Sequence, residues 1–150
     1  MTTDLAQRAY FFKIDTTVKK IRHTMQKKLD HAGLNLTVDQ WVLIDHIEKK
    51  QGLSQIELAE ITVKDGPTVT RIIDLLVEKG LVERRMPEND RRKFGIYLTS
   101  AGQEKYEQAF PIIAEVRQLG WNHLSDEDYY NFVRILDTVY QNIISHSEKV

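Results

Sequence analysis

Residues 52–102 read GLSQIELAEITVKDGPTVTRIIDLLVEKGLVERRMPENDRRKFGIYLTSAG, and each part of that run has a mechanical reading. Ser54-Gln55-Ile56-Glu57 is a capping-box pattern, a hydroxyl offered to an orphan amide with a carboxylate reaching back three residues later. A short helix starts there. Asp65-Gly66-Pro67 then supplies a turn and a proline at the first helical position, where its missing N–H costs nothing and its φ is already helical. The second helix of this run, the recognition helix, spans Pro67 to Glu78. Its Val69, Ile72, Ile73 and Leu76 fall at i, i+3, i+4 and i+7 and make a core face. The opposite face carries Thr68, Thr70, Arg71 and Asp74. Threonine can meet a thymine methyl or a base edge and arginine can pair with guanine, so this face suits a major groove.

Lys79-Gly80 closes that helix, glycine accepting the left-handed conformation that ends many helices. Leu81 to Met86 and Lys93 to Leu98 read as two short strands, joined by the turn Pro87-Glu88-Asn89-Asp90-Arg91-Arg92. From Arg84 to Lys93 there are five basic residues against two acidic ones, a local balance of +3. A cationic hairpin tip of this kind reaches a minor groove or tracks phosphates. Two helices and a basic hairpin make a winged helix-turn-helix. The expected DNA-contacting residues are Ser54, Gln55, Pro67, Thr68, Thr70, Arg71, Arg84, Asp90, Arg91, Arg92 and Lys93.

These residues resemble those of the MarR-type transcription regulators. The likeness is carried by Leu36-Thr37 with Gln40-Trp41, by Gly52-Leu53-Ser54-Gln55 with Glu57-Leu58-Ala59, and by Pro67-Thr68-Val69-Thr70-Arg71. It continues in Lys79-Gly80-Leu81-Val82 with Arg84, in Asp90-Arg91-Arg92, and in Leu98-Thr99 with Gly102. The resemblance implies that Arg92 enters the minor groove while Asp90 holds it in place. It also implies that the first and the last two helices interlock with those of a second copy.

The 150 residues are one domain's worth of chain, expected to bury roughly two-thirds of the unfolded surface. The formal net charge is only −1, so affinity for DNA must come from how charge is distributed. Residues 1–31 carry seven basic and three acidic side chains, whereas residues 121–150 carry two basic and five acidic ones. That asymmetry marks a DNA-facing and a DNA-averted end. The absence of cysteine excludes disulfides and thiolate chemistry. No apolar run approaches the roughly 18 residues of a membrane span and no signal-peptide pattern opens the chain, so the expected location is cytoplasmic.

The fold class expected is mainly α with a small β-wing: a winged helix-turn-helix over 36–98, flanked by helical dimerisation parts at 4–32 and 99–146. Ile14, Val18, Ile21, Met25 and Leu29 form a stripe along a long first helix. After Leu98-Thr99-Ser100 another long helix carries Tyr106, Ala109, Phe110, Ile113 and Val116, bent by Pro111 and ended by Gly120. Ser125 caps a last helix with a broad apolar face from Tyr129 to Ile143. A winged helix already buries its own core, so these extra stripes predict a homodimer. Two recognition helices about a two-fold axis would meet a pseudo-palindromic duplex with half-sites about one helical turn apart.

The second helix, Val38 to Lys50, places Trp41 with Ile44 and Ile47. Trp41 reads as core, or else as the wall of a pocket between the dimerisation helices and the winged helix, where the family resemblance implies a small aromatic or anionic effector. Tyr10, Phe11, Arg22 and His23 are the other candidates for that pocket, with Phe12 beside them, and Arg22 and His23 also read as plain helix surface. No cofactor is expected. No two of the five histidines have i, i+3 or i, i+4 spacing, leaving only distant sets such as Asp45-His46 with Glu48, or His123 with Asp126, for a sensory metal. Ser54, Ser100 and Ser125 sit where helix caps are expected, so no serine nucleophile stands out and enzymatic activity is not predicted. A winged-helix module that binds protein instead of DNA is the remaining alternative; such modules tend to lose the hydroxyls and arginines kept here.

Overall fold

The computed structural model describes residues 4–86 and 94–149. Among them the order is α1 (Asp4–Gln7), α2 (Tyr10–His31), α3 (Val38–Lys49), α4 (Gln55–Thr62), α5 (Gly66–Glu78), β1 (Val82–Arg85), β2 (Gly95–Leu98), α6 (Ser100–Gly120) and α7 (Asp126–Ser147). This is the expected mainly helical chain with a small wing. It divides into two compact units, residues 1–116 and 117–150.

The starts of α3, α4 and α5 are set by side-chain caps. Thr37 and Gln40 form a full capping box at α3, the Ser54 hydroxyl accepts from the Glu57 N–H at α4, and the Asp65 carboxylate accepts from the Thr68 N–H at α5. Each cap of this kind contributes about 1 kcal/mol. Val63 ends α4 in the left-handed region, with φ at 53°, leaving only Val63, Lys64 and Asp65 to turn the chain into α5. Both strands are shorter than expected. Leu81 still belongs to the stop of α5, its N–H bonded to the Leu76 carbonyl while Gly80 takes φ 73°, the two features of a Schellman-type ending.

The wing is an antiparallel pair with Val82 opposite Leu98 and Arg85 opposite Gly95. Leu53 adds a bridge to Ile96 on the other edge, so the residue just before the α4 cap is tied into the sheet. The core beneath is formed by Leu43, Ile44 and Ile47 of α3, Leu58 of α4, Val69, Ile73 and Leu76 of α5, and Ile96 of β2, all fully buried. Burying one such side chain contributes about 1.5–3 kcal/mol. Leu29 from α2 and Ala109 and Ile113 from α6 complete the same cluster. Helix α6 comes so close to the wing that a Cβ at Gly102 would lie 1.9 Å from the Leu81 carbonyl oxygen. It then runs through Pro111 as a single helix to Gly120.

The stripe on α2 is unevenly covered. Leu29 is fully buried and Met25 packs against the core, but Ile14, Val18 and Ile21 are 37 to 45% exposed. In the second unit, the Trp121 ring meets Tyr129 and Phe132, its indole N–H donates to the Ser125 carbonyl at 3.0 Å, and Ser125 with Asp128 forms the capping box of α7. Helix α7 buries no residue at all.

Candidate nucleic-acid interface

Helix α5 presents its outer face as the sequence predicts. Val69, Ile72, Ile73 and Leu76 point into the core, Pro67, Thr70 and Arg71 are exposed, and Thr68 is half-buried. The Asp65 carboxylate takes the Thr68 N–H at 2.7 Å, and hydrogen bonding from the Thr68 side chain first and its backbone second holds the Asp65 pKa below its ordinary value. A negative N-cap stays charged there and fixes where the helix begins.

Behind that face lies a polar network that joins three elements. The Arg84 guanidinium of β1 donates through Nε to Gln55 Oε1 at 2.8 Å and through a terminal nitrogen to Asp74 Oδ1 at 2.5 Å. Gln55 passes the connection on, its amide donating to the Thr70 hydroxyl at 3.0 Å. Arg84 therefore clamps the wing to the outer side of α5 and to the first turn of α4. Ser54, Gln55, Thr70 and Arg84 also line one concavity of about 650 Å³, with Phe94 at its edge. The neighbouring Arg85 pairs with Glu83 and lies over the Tyr97 ring at 4.5 Å. Both wing arginines of β1 thus have partners within the chain. Asp90, Arg91, Arg92 and Lys93, the expected wing-tip contacts, lie outside the described residues.

Two residues that sequence reasoning did not single out tie the start of α5 to α2. Asp39, in the first turn of α3, accepts from Arg22 of α2 at 2.6 Å and from Lys64 at 3.1 Å. Lys64 directly precedes the N-cap of α5. Burial pushes the Asp39 pKa up, but hydrogen bonds and charge from Arg22 and Lys64 outweigh it and leave the carboxyl below its usual value. The one local signal was the placement of Lys64 beside a predicted cap.

The five expected effector residues are not gathered in one place within the chain. Arg22 and His23 line a cleft of about 240 Å³ with Gln26, Thr37, Val38 and Asp39. Trp41 is 2% exposed and stacked on Tyr106, with ring centroids 5.3 Å apart and planes 11° apart, so it serves the core. Tyr10 and Phe11 sit at the N-terminal end of α2 with their rings against each other, 43 and 69% exposed; twelve residues of helix put Tyr10 about 18 Å from Arg22. Phe12 is exposed beside them. Among the described residues no three His, Asp or Glu side chains converge as metal ligands, and no helix is long and apolar enough to cross a membrane.

Comparison with known proteins adds independent weight to this geometry. The MarR family sequence model matches residues 32–93, from just past the end of α2 through α3, α4, α5 and β1 and stopping short of β2. A curated relative from Bacillus subtilis (strain 168), the HTH-type transcriptional repressor YetL, is 28% identical over 133 residues, covering 89% of this chain and 80% of its own. Wild-type MarR from E. coli in its apo form is 25% identical with a TM-score of 0.70, over 84% of this chain and 93% of that one. A point mutant of E. coli MarR complexed with operator DNA superposes with a TM-score of 0.79 at 23% identity, over 93% and 99% of the two chains. With a matched run that covers the helix-turn-helix and the first strand of the wing, and a fold shared with E. coli MarR over most of its length, the chain is similar to the MarR family of transcription regulators.

Proposed function

We propose that the chain is a sequence-specific DNA-binding repressor that acts in the cytoplasm as a homodimer, its affinity for a pseudo-palindromic operator set by a small aromatic or anionic effector. The observation that carries this reading is the exposed face of α5. Pro67, Thr70 and Arg71 are exposed on a helix whose other side is locked into the core and whose first turn is fixed by Asp65. Recognition by base edges needs that combination of small hydroxyl, guanidinium and rigid backbone. The E. coli MarR mutant of the same fold was solved with operator DNA, and the B. subtilis relative is named a repressor.

The second copy is called for by apolar surface. Ile14, Val18 and Ile21 on α2, and Tyr129, Phe132, Ile135, Tyr140 and Ile143 on α7, are exposed side chains that a partner would take out of water. The dimerisation parts at 4–32 and 99–146 rest on this argument. Effector control fits the cleft at Arg22 and His23, because Arg22 also holds Asp39 and through it Lys64. An effector that favours the DNA-incompetent state by about 2 to 3 kcal/mol lowers operator affinity roughly 30- to 150-fold.

Selection of random duplex DNA by the purified protein tests the reading. The expected product is an inverted repeat whose affinity falls steeply with salt, because lysine and arginine displace counterions from phosphates. If no sequence is enriched over the starting pool, sequence-specific DNA binding is wrong and the winged helix serves a protein partner.

A further inference from the structure

We infer that the concavity between the end of α5 and the start of α6, lined by Leu34, Asn35, Lys79, Leu81 and Lys105, is a binding site for a small free oxyanion of the phosphate class. The hollow measures about 280 Å³. Lys79, the residue that ends α5, donates to the Asn35 carbonyl at 2.6 Å and to Gln40 Oε1 at 2.9 Å, and Lys105 of α6 donates to the Leu34 carbonyl at 2.9 Å. An ammonium has three donors. Three of the six are therefore committed to these acceptors, which hold both nitrogens at the rim of one hollow.

The charge balance is what makes the site point to an anion. Eight ion pairs join cations to carboxylates among the described residues, and neither Lys79 nor Lys105 takes part in one. Two half-buried ammonium groups facing one hollow without a counter-charge repel each other. Burial first, and then the charge of Lys105, pull the Lys79 pKa below the ordinary lysine value. An oxyanion accepting from both nitrogens would offset that repulsion with short charge-assisted hydrogen bonds. Asn35, which lines the same hollow, is exposed and holds the left-handed conformation with φ at 50°.

A DNA phosphate is the less suitable occupant. Lys79 lies twelve residues along α5 from Pro67, about 18 Å from the end of the helix that carries the groove-facing hydroxyls. The inference therefore does not depend on operator binding. Occupancy would brace the last turn of the recognition helix against α6.

The test is titration of the full-length protein with inorganic phosphate at constant ionic strength, following backbone amide resonances, with chloride as the matched control. The expected result is saturable shifts at Asn35, Lys79, Gly80 and Lys105, about tenfold weaker in Lys105→Gln, since one charged hydrogen-bond donor is lost. Shifts that fail to saturate, or that chloride reproduces, overturn the inference on the wild-type protein alone, whether or not the variant folds. Unchanged affinity in a folded Lys105→Gln overturns it as well. If duplex DNA shifts the same amides and displaces phosphate, the site belongs to the DNA backbone and the free-anion assignment falls.

Discussion

Helices α5 and α7 carry the same kind of pattern and meet different fates. In α5, thirteen residues long, Val69, Ile72, Ile73 and Leu76 are buried against α3 and α4. In α7, twenty-two residues long, the equivalent stripe reaches no more than half-burial, and Tyr130 is 71% exposed. Periodicity states which side of a helix wants to leave water, but it does not say what will cover that side. For α5 the cover is present within its own compact unit. For α7 it has to come from elsewhere, and the same holds for the first half of α2. One chain thus contains a finished reading head and an apolar surface that, on the proposed reading, a second copy would cover.

Substitutions in the two regions should behave differently. Leu76→Ala empties a fully buried site in the reading head and is expected to cost about 2 to 5 kcal/mol in urea unfolding. Leu136→Asp on α7 is expected to yield monomers by sedimentation, because a partner-covered face does not accept an unpaired carboxylate. A fully dimeric Leu136→Asp protein would show that the uncovered helix face is not the interface.

Arg71 and Arg84 sharpen the contrast within the reading head. Arg71→Ala should weaken operator binding by about 1 to 3 kcal/mol and relax preference at one base position in each half-site. Equal losses on all sequences would make Arg71 a phosphate contact. Arg84 is already bound to Asp74 and Gln55, so Arg84→Ala should lower affinity for every sequence alike while leaving the salt dependence unchanged. Arg84→Lys should not restore binding, since an ammonium lacks the two-pronged geometry that joins both partners. A reduced salt slope in Arg84→Ala would assign the residue to phosphate instead.

Gly102→Ala probes the seam between wing and α6. A methyl placed against the Leu81 carbonyl forces α6 outward, with an expected cost of about 1 to 3 kcal/mol in thermal unfolding; an unchanged melting temperature would show that the seam yields freely. The smallest effect is expected at Asp39, which is partly exposed. Because its folded pKa is depressed, the Asp39 carboxylate contributes stability above the ordinary carboxylate pKa and loses it as pH falls through the lowered value. Asp39→Asn should therefore be less stable than wild type near neutrality by under about 1 kcal/mol. The gap should close in acid. A gap that persists at the lowest pH where the protein is folded would mean that the ion pairs are not its source.

Much of this was legible in the sequence because caps and stops are local. Ser54, Asp65, Gly80 and Ser125 act within three or four residues of themselves, and each element boundary they define lies within a residue or two of expectation. What depended on distance was not legible. Charge and the family resemblance put Arg84 among the expected DNA contacts, but that its guanidinium holds Gln55, 29 residues away, and Asp74 is visible only in the fold. Trp41 had two readings until Tyr106 stacked on it from α6. Gly102 entered only as part of a family resemblance, and its physical reason, the approach of Leu81, exists only in three dimensions. Tyr10 and Phe11 were grouped with Arg22 by residue type although three turns of helix separate them.

Sedimentation equilibrium of the protein with the duplex it selects bears most directly on the account, which holds that an uncovered helical surface pairs two reading heads on one site. Two chains on each inverted repeat, with the protein alone already a dimer and a single half-site bound far more weakly, is the predicted result. One chain per duplex, with full affinity retained on a half-site, would contradict it.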